Sequence, residues 1–150
     1  MLVLYLLKKV PDQHPFRLSR LLFLIDTECR RRHGKPCTDF DYVITPYGFY
    51  IEGFPPLLMS IDGIEKIETK DEEGNPVRGF FRLVKDRNVE LPDDILSVAD
   101  YVIDKYANLD DQELNSAVVN LPEYQEHLSR DGGSQFDIFF NIFIFQLVRW

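Results

Sequence analysis

The chain has 150 residues, of which 45% are hydrophobic and 28% are charged, and its formal net charge is −8. This length suffices for one domain with its own core, and the composition argues against disorder. Residues 1–35 carry 8 basic and 3 acidic side chains, whereas residues 86–131 carry 3 and 12. Because binding to nucleic acid depends largely on Lys and Arg neutralising phosphates, this balance favours a basic protein partner over a nucleic acid.

The cysteines and the first residues predict the compartment. Cys29 and Cys37 are too few for a disulfide framework, so we expect two free thiols in a reducing environment. The opening MLVLYLLKKV has no basic residues before its apolar run and no small-residue cleavage site after it. It is also shorter than the roughly 20 residues that span a bilayer. We therefore expect a cytoplasmic protein that does not enter the membrane.

The predicted elements of the first half follow apolar periodicity and Pro/Gly punctuation. Gly34 is expected to end the second helix, Pro56 to be the first residue of the third, and Gly74-Asn75-Pro76 to form the turn of a β-hairpin. In order, the elements are a helix, a helix, a strand, a helix and a hairpin, over residues 2–10, 16–33, 40–45, 56–61, and 64–70 with 77–84.

Helical patterns dominate the second half. One amphipathic helix covers residues 91–106, a second opens at Asp110 or Asp111, and a further turn follows Pro122. The whole chain is thus predicted to be mainly α with a small β component (α+β). The order of its first elements is that of a winged helix, so we expect one domain with a winged-helix-like part, 1–85, and a helical part, 86–150.

The end of the chain, FDIFFNIFIFQLVRW over residues 136–150, holds five of the twelve phenylalanines. Read as a helix or as a strand, both of its faces are apolar, so it must be buried on both sides. Two interpretations stay open: the segment is central to the core, or it forms the interface of a homodimer.

Catalytic and metal chemistry find little support in the sequence. A metal corner from Cys29, His33 and Cys37 would need a fourth ligand such as Asp39 or Asp41, and Cys29 already fits the apolar stripe of its helix. The three histidines stand in no catalytic motif, and there is no Gly-rich phosphate loop. We therefore expect no metal, no cofactor and no enzyme activity.

The basic stretch that begins at Arg30 has two interpretations. Three consecutive arginines spread over about 200° of a helix, and cations in a last turn complement the helix dipole, so a solvated helix end is the simpler one. The alternative is a winged-helix DNA-binding regulator, although the third helix carries no side chain suited to reading base edges. Its phosphate contacts would come from Arg30, Arg31, Lys35, Lys66, Arg78 and Arg82.

The order of short motifs resembles the Panacea domain, the SocA-like family of phage-associated antitoxins. The helix RLLFLID (20–26), the segment GKPCT (34–38) and Tyr47-Gly48 follow the family's K-L-L-Y-x-A-D, G-x-P-[IL]-T and Y-G-P blocks. The later stretch 109–127 is similar to the family's second helical block. Phe49 stands where the family has a proline, so the chain resembles a diverged member.

This resemblance implies a non-enzymatic module that neutralises a toxin by binding it, or an adaptor that delivers a client to a protease. The chain's acidity and its supply of aromatic side chains agree with a protein-binding role. The partner-binding positions that it suggests are Arg30, Arg31, Lys35, Tyr47, Gly48, Phe49, Tyr50 and Phe54. Core packing explains the aromatic members equally well.

Overall fold

Six α-helices and two antiparallel hairpins make up residues 1–131, the part of the chain that the computed structural model describes. The helices are α1 (Leu2–Lys9), α2 (Pro15–His33), α3 (Phe54–Ser60), α4 (Asp93–Tyr106), α5 (Asp111–Val119) and α6 (Pro122–Asp131). The strands are β1 (Tyr42–Thr45), β2 (Gly48–Ile51), β3 (Ile64–Lys70) and β4 (Pro76–Leu83). The predicted fold class, mainly α with a small β component, is confirmed.

Helix α2 lies at the centre of the core and packs against α4 and α5. Its apolar stripe is fully buried, as the spacing of Leu18, Leu22 and Ile25 predicts. His14 caps the helix by accepting the N–H of Phe16 at 3.0 Å. Gly34 ends it in the left-handed conformation, with φ 81°, which confirms the predicted stop.

The segment after α2 forms a hairpin where a single strand was predicted. Strand β1 pairs antiparallel with β2 in a register that sets Thr45 opposite Gly48. All four residues of β2 are buried, so its sequence, GFYI, lacks the alternation that marks a half-exposed strand. The Tyr47-Gly48 turn was therefore recognisable from the sequence, but β2, the second strand of this hairpin, was not.

The third helix and the second hairpin follow the first hairpin, as their sequence punctuation predicts. Helix α3 begins at Phe54, so Pro56 lies within its first turn rather than at its first position; N–H groups there need no partner within the helix. Strands β3 and β4 pair antiparallel within one residue of their predicted bounds. They form a sheet separate from β1 and β2.

The three carboxyl-terminal helices agree with the predicted punctuation. Asp110 caps α5 in a capping box with Glu113, and α6 begins at Pro122. Helix α6 continues to Asp131, beyond the single turn that was predicted. The aromatic segment 136–150, for which a core role and a homodimer interface were both left open, lies outside the described residues. Within residues 1–131, no helix has both the length and the apolar character needed to cross a membrane.

Candidate partner-binding surface

Asp26 fixes the turn that follows α2. One carboxylate oxygen accepts the backbone N–H groups of Cys37, at 2.9 Å, and Thr38, at 2.8 Å. The other accepts the Thr38 hydroxyl and, at 2.6 Å, the hydroxyl of Tyr42. Burial and the neighbouring Asp26 charge raise the pKa of Tyr42, so its phenol stays a donor. The motif pieces quoted above, a helical Asp and a GKPCT segment, are thus two halves of one hydrogen-bonded unit.

Cys29 and Cys37 form a disulfide, which corrects the prediction of two free thiols. Their Cα atoms lie 6.0 Å apart, within the range that a disulfide spans. Gly34 reverses the chain and Asp26 holds the returning segment, which brings the two sulfur atoms together; sequence spacing alone did not show this. With both sulfurs paired, the metal site considered at Cys29, His33 and Cys37 has no thiolate ligands. Among residues 1–131, no group of three or more His, Cys, Asp or Glu side chains could hold a metal ion.

Arg20 joins the first hairpin to the helices from inside the core. It is 2% exposed and donates to the carbonyl of Phe49, at 2.9 Å, and to the side-chain oxygen of Asn115, at 3.2 Å. Asn115 in turn donates to the carbonyl of Tyr47 at 2.9 Å. The guanidinium lies 3.9 Å from the ring centroid of Phe16 and 4.3 Å from that of Phe49. Burial lowers the pKa of Arg20 to about 9, which leaves it charged at neutral pH.

The aromatic residues that the resemblance suggested as contacts divide into two groups. Phe49, Tyr50 and Phe54 are 0%, 8% and 3% exposed, so the surface role predicted for them does not fit their burial. Gly48 is also buried, opposite Thr45 in the hairpin. Tyr47 differs, since 51% of it is exposed at the hairpin turn. Packing explains the first group, and Tyr47 alone among them is exposed at the surface.

The basic residues at the end of α2 also form two groups, one that is paired with carboxylates and one that is not. Arg31 binds Glu123 of α6 through two hydrogen bonds and lies 3.6 Å from Glu28. Arg30 and Lys35 are exposed, and no hydrogen bond or ion pair within residues 1–131 engages either side chain. Arg31 therefore holds α6 in place, whereas Arg30 and Lys35 keep their charges available at the surface.

The cations predicted to contact phosphates from the second hairpin are each paired with a carboxylate. Arg82 binds Asp12 through two hydrogen bonds, at 2.7 and 2.9 Å. The other pairs are Lys66 with Glu68 and Arg78 with Asp111. These carboxylates reduce the positive potential that a DNA contact would need, so the hairpin does not form the basic patch expected of a wing.

Two cavities flank the turn that Asp26 fixes. The first, of about 280 Å³, lies between α2, β1 and α6; we call it the polar cavity. Its lining includes Thr27, Arg30, Tyr42, Glu123 and His127. The Arg31 hydrogen bond lowers the pKa of Glu123, so this carboxyl stays ionised at neutral pH.

The second, of about 550 Å³, lies between the start of α1, the turn, α3 and the segment leading into α4; we call it the apolar groove. Its walls include Met1, Leu57, Ile61, Leu91 and Ile95. Thr38 and Phe40 line both cavities, so the fixed turn separates them.

Comparisons of the chain with protein-family models, with curated proteins and with solved structures find no match. The surface around the turn is therefore the main structural indication of function. Of the positions predicted from the sequence, Arg30 lines the polar cavity and Lys35 precedes the turn. Neither Tyr47 nor the paired cations of the second hairpin line either cavity.

Several residues that build this surface could not be identified from the sequence. Thr38, Phe40 and Tyr42 were assigned to a connecting segment and a strand. The convergence of Thr38 and Tyr42 on Asp26 depends on the chain reversal at Gly34. One signal was present. An aspartate inside a helical stretch that is otherwise buried requires hydrogen-bond partners, and the nearest N–H donors outside a helix follow Gly34.

Proposed function

We propose that this chain is a non-enzymatic protein-binding module, an antitoxin-like or adaptor protein that acts by binding a partner protein. The observation that carries the proposal is the fixed turn between the polar cavity and the apolar groove. A hydrogen-bonded, disulfide-linked turn presents both cavities without an ordering cost on binding, and such preorganisation favours affinity. The resemblance to the Panacea domain supports the same class of function.

Charge supports a partner that is basic at its contact surface. The chain has a net charge of −8, and residues 86–131 carry most of the excess. Complementary charge accelerates association and selects among partners more than it raises affinity. A toxin or client with a basic, partly apolar surface fits both the net charge and the concave apolar groove.

The proposed function is tested by capture from the native lysate, with the full chain as bait and mass spectrometry as the readout. The matched control is Asp26→Asn, which removes the charged acceptor that holds the turn. We expect the wild type to retain a defined protein in stoichiometric amount, and the variant to lose it. If neither bait retains a protein, and expression beside the neighbouring genes has no effect on toxicity, the proposal is wrong.

The proposed location is the cytoplasm, and the disulfide makes that proposal testable. Disulfides persist mainly in oxidising compartments, so a cytoplasmic chain would keep Cys29 and Cys37 reduced for part of its life. Thiols are trapped in intact cells with an alkylating reagent before lysis, and the mass of the chain is measured. Addition of two alkyl groups indicates the cytoplasm, whereas a chain that is never alkylated indicates an oxidising compartment.

A further inference from the structure

The apolar groove is a built concavity whose walls come from four separate parts of the fold. The start of α1 contributes Met1 and Leu2, the turn contributes Phe40, α3 and the residue after it contribute Leu57 and Ile61, and Ile95 comes from α4. A volume of about 550 Å³ lies within the range of sites that enclose small molecules or anchoring side chains. The groove is therefore large enough to receive bulky apolar groups from a partner.

Two wall residues leave large apolar surface exposed to solvent. Met1 is 61% exposed and Leu57 is 44% exposed. Exposed apolar area gathered at a concavity is a feature of interaction sites, and methionine adapts its shape to what it contacts. Burial of these two side chains would favour association with an apolar segment.

The charged side chains in the groove lining are both carboxylates, Asp39 and Glu90. Both residues are exposed. Within residues 1–131, no hydrogen bond or ion pair engages the Asp39 side chain, and Glu90 accepts one hydrogen bond, of 3.3 Å, from Asn88. Two carboxylates beside an apolar floor favour a ligand with cations next to its apolar groups and disfavour one flanked by acids.

We propose that the apolar groove binds a segment of the partner protein in which large apolar side chains are flanked by Lys or Arg. The apolar side chains occupy the space between Leu57, Ile61 and Ile95, and the flanking cations pair with Asp39 and Glu90. This assignment rests on the proposed function, since it specifies the chemistry of the partner. The segment 136–150 of this chain fits less well, because it carries one arginine, one aspartate and no lysine.

The test uses the full chain and three labelled synthetic peptides. The first has a leucine-phenylalanine centre with lysines at both ends, the second has the same centre with glutamates at both ends, and the third has lysines around a serine centre. Binding is measured by fluorescence anisotropy, and its location is read from methyl NMR shifts. Ile61 and Ile95 report on the apolar groove, and Ile44, which lines the polar cavity, is the internal control.

We expect the first peptide to bind most tightly and to shift the methyl signals of Ile61 and Ile95 but not those of Ile44. The variant Asp39→Lys with Glu90→Lys changes two exposed side chains, so its fold should be retained. It should weaken the first peptide by about two- to thirtyfold, the range for two exposed charge pairs, and strengthen the second. Equal binding of the first and second peptides, or shifts centred on Ile44, would overturn the inference.

Other occupants of the groove are separate outcomes of the same experiment. If no peptide binds, and light scattering shows a dimer that the charge-reversed variant loses, a second copy occupies the groove and the inference is wrong. If the native partner is captured equally by the wild type and the charge-reversed variant, the proposed function stands and the groove assignment falls. If no partner is captured but the first peptide binds as expected, the proposed function is wrong. The preference of the groove for apolar groups flanked by cations is then still supported.

Discussion

Asp26 and Thr38 are joined twice, because the two carboxylate oxygens of Asp26 accept the backbone N–H and the hydroxyl of the same threonine. A buried carboxylate that loses such donors keeps the full cost of its desolvation. The pair therefore connects the centre of α2 to the turn that separates the polar cavity from the apolar groove.

Asp26→Asn should lower the free energy of unfolding by about 1.5–3 kcal/mol, the range for hydrogen bonds to a charged group. The amide keeps the shape of the carboxylate but replaces one acceptor by a donor that faces donors. Urea unfolding followed by circular dichroism measures the change. Asp41→Asn is the control. Asp41 is exposed and lines the polar cavity, as Asp26 does, so a change within about 0.5 kcal/mol is expected. Equal effects of the two variants would contradict a specific role for Asp26.

The disulfide should stabilise the chain by restricting its unfolded state. Cys29 and Cys37 are separated by 8 positions, and closing a loop of that size contributes about 2–3 kcal/mol. Cys37→Ser should lose this stability under oxidising conditions and should be unaffected by a thiol reductant. The wild type should fall to the level of the variant when reductant is added. A wild-type unfolding curve that does not respond to reductant would show that the disulfide does not form.

Arg20→Lys should destabilise the fold despite keeping the charge. Lysine cannot reach the carbonyl of Phe49 and the side chain of Asn115 at once, and it loses the planar contact with two aromatic rings. We expect a loss of about 1–3 kcal/mol, from a buried acceptor left without its donor. Thermal unfolding measures it, with the exposed Arg30→Lys as control. A melting temperature equal to that of the wild type would show that Arg20 can be replaced by any cation.

Acid should weaken the contact between α6 and α2. The hydrogen bond from Arg31 lowers the pKa of Glu123 below its ordinary value of 4.5, so this contact stabilises the folded state above that pH. The stabilisation is lost as the pH falls through the lowered value, since the carboxyl is then protonated in both states. Because the pair is partly exposed, the contribution should be at most about 1 kcal/mol.

Glu123→Gln is the matching measurement for the acid effect. Its melting temperature should lie below that of the wild type at neutral pH, and the two should converge below pH 4.5. Glu126→Gln, on the exposed face of the same helix, is the control and should follow the wild type closely. A constant difference between Glu123→Gln and the wild type across the pH range would rule out ionisation as the cause.

Duplex DNA should not retain the wild-type chain at about 50 mM salt, a concentration at which a few phosphate contacts are detectable. The reason is that Arg82 and its neighbours in the second hairpin are paired with carboxylates. Asp12→Asn should release Arg82 and give weak, salt-sensitive binding, which the double variant Asp12→Asn, Arg82→Gln should lack. Steeply salt-dependent retention of the wild type would instead favour the winged-helix regulator.

The parts of the fold that could be predicted from the sequence are those that local chemistry determines. The end of α2 at Gly34, the cap at Asp110 and the bounds of β3 and β4 all follow from residues within a few positions of the feature. Strand β2 was not predicted, because a strand buried on both faces has no alternating pattern.

The candidate site was harder to predict, because it depends on contacts between segments that are distant in the chain. The positions of Arg30 and Lys35 at the surface follow from the helix end. The pairing of Cys29 with Cys37 and the binding of Arg31 by Glu123 require the chain reversal and the docking of α6, which no local pattern encodes. The burial of Phe49 follows from the same tertiary packing.

The second hairpin is anchored through contacts of β4 and not through its turn. Gln13 and Phe81 exchange two backbone hydrogen bonds, of 3.2 and 2.8 Å, which add the segment before α2 to the edge of β4. Beside them, Asp12 holds Arg82. The turn at 71–75 is exposed throughout, and its backbone hydrogen bonds are internal. A peptide tag or a fluorophore inserted in this turn should therefore leave both cavities and their partner contacts intact, whereas one placed near Gln13 would not.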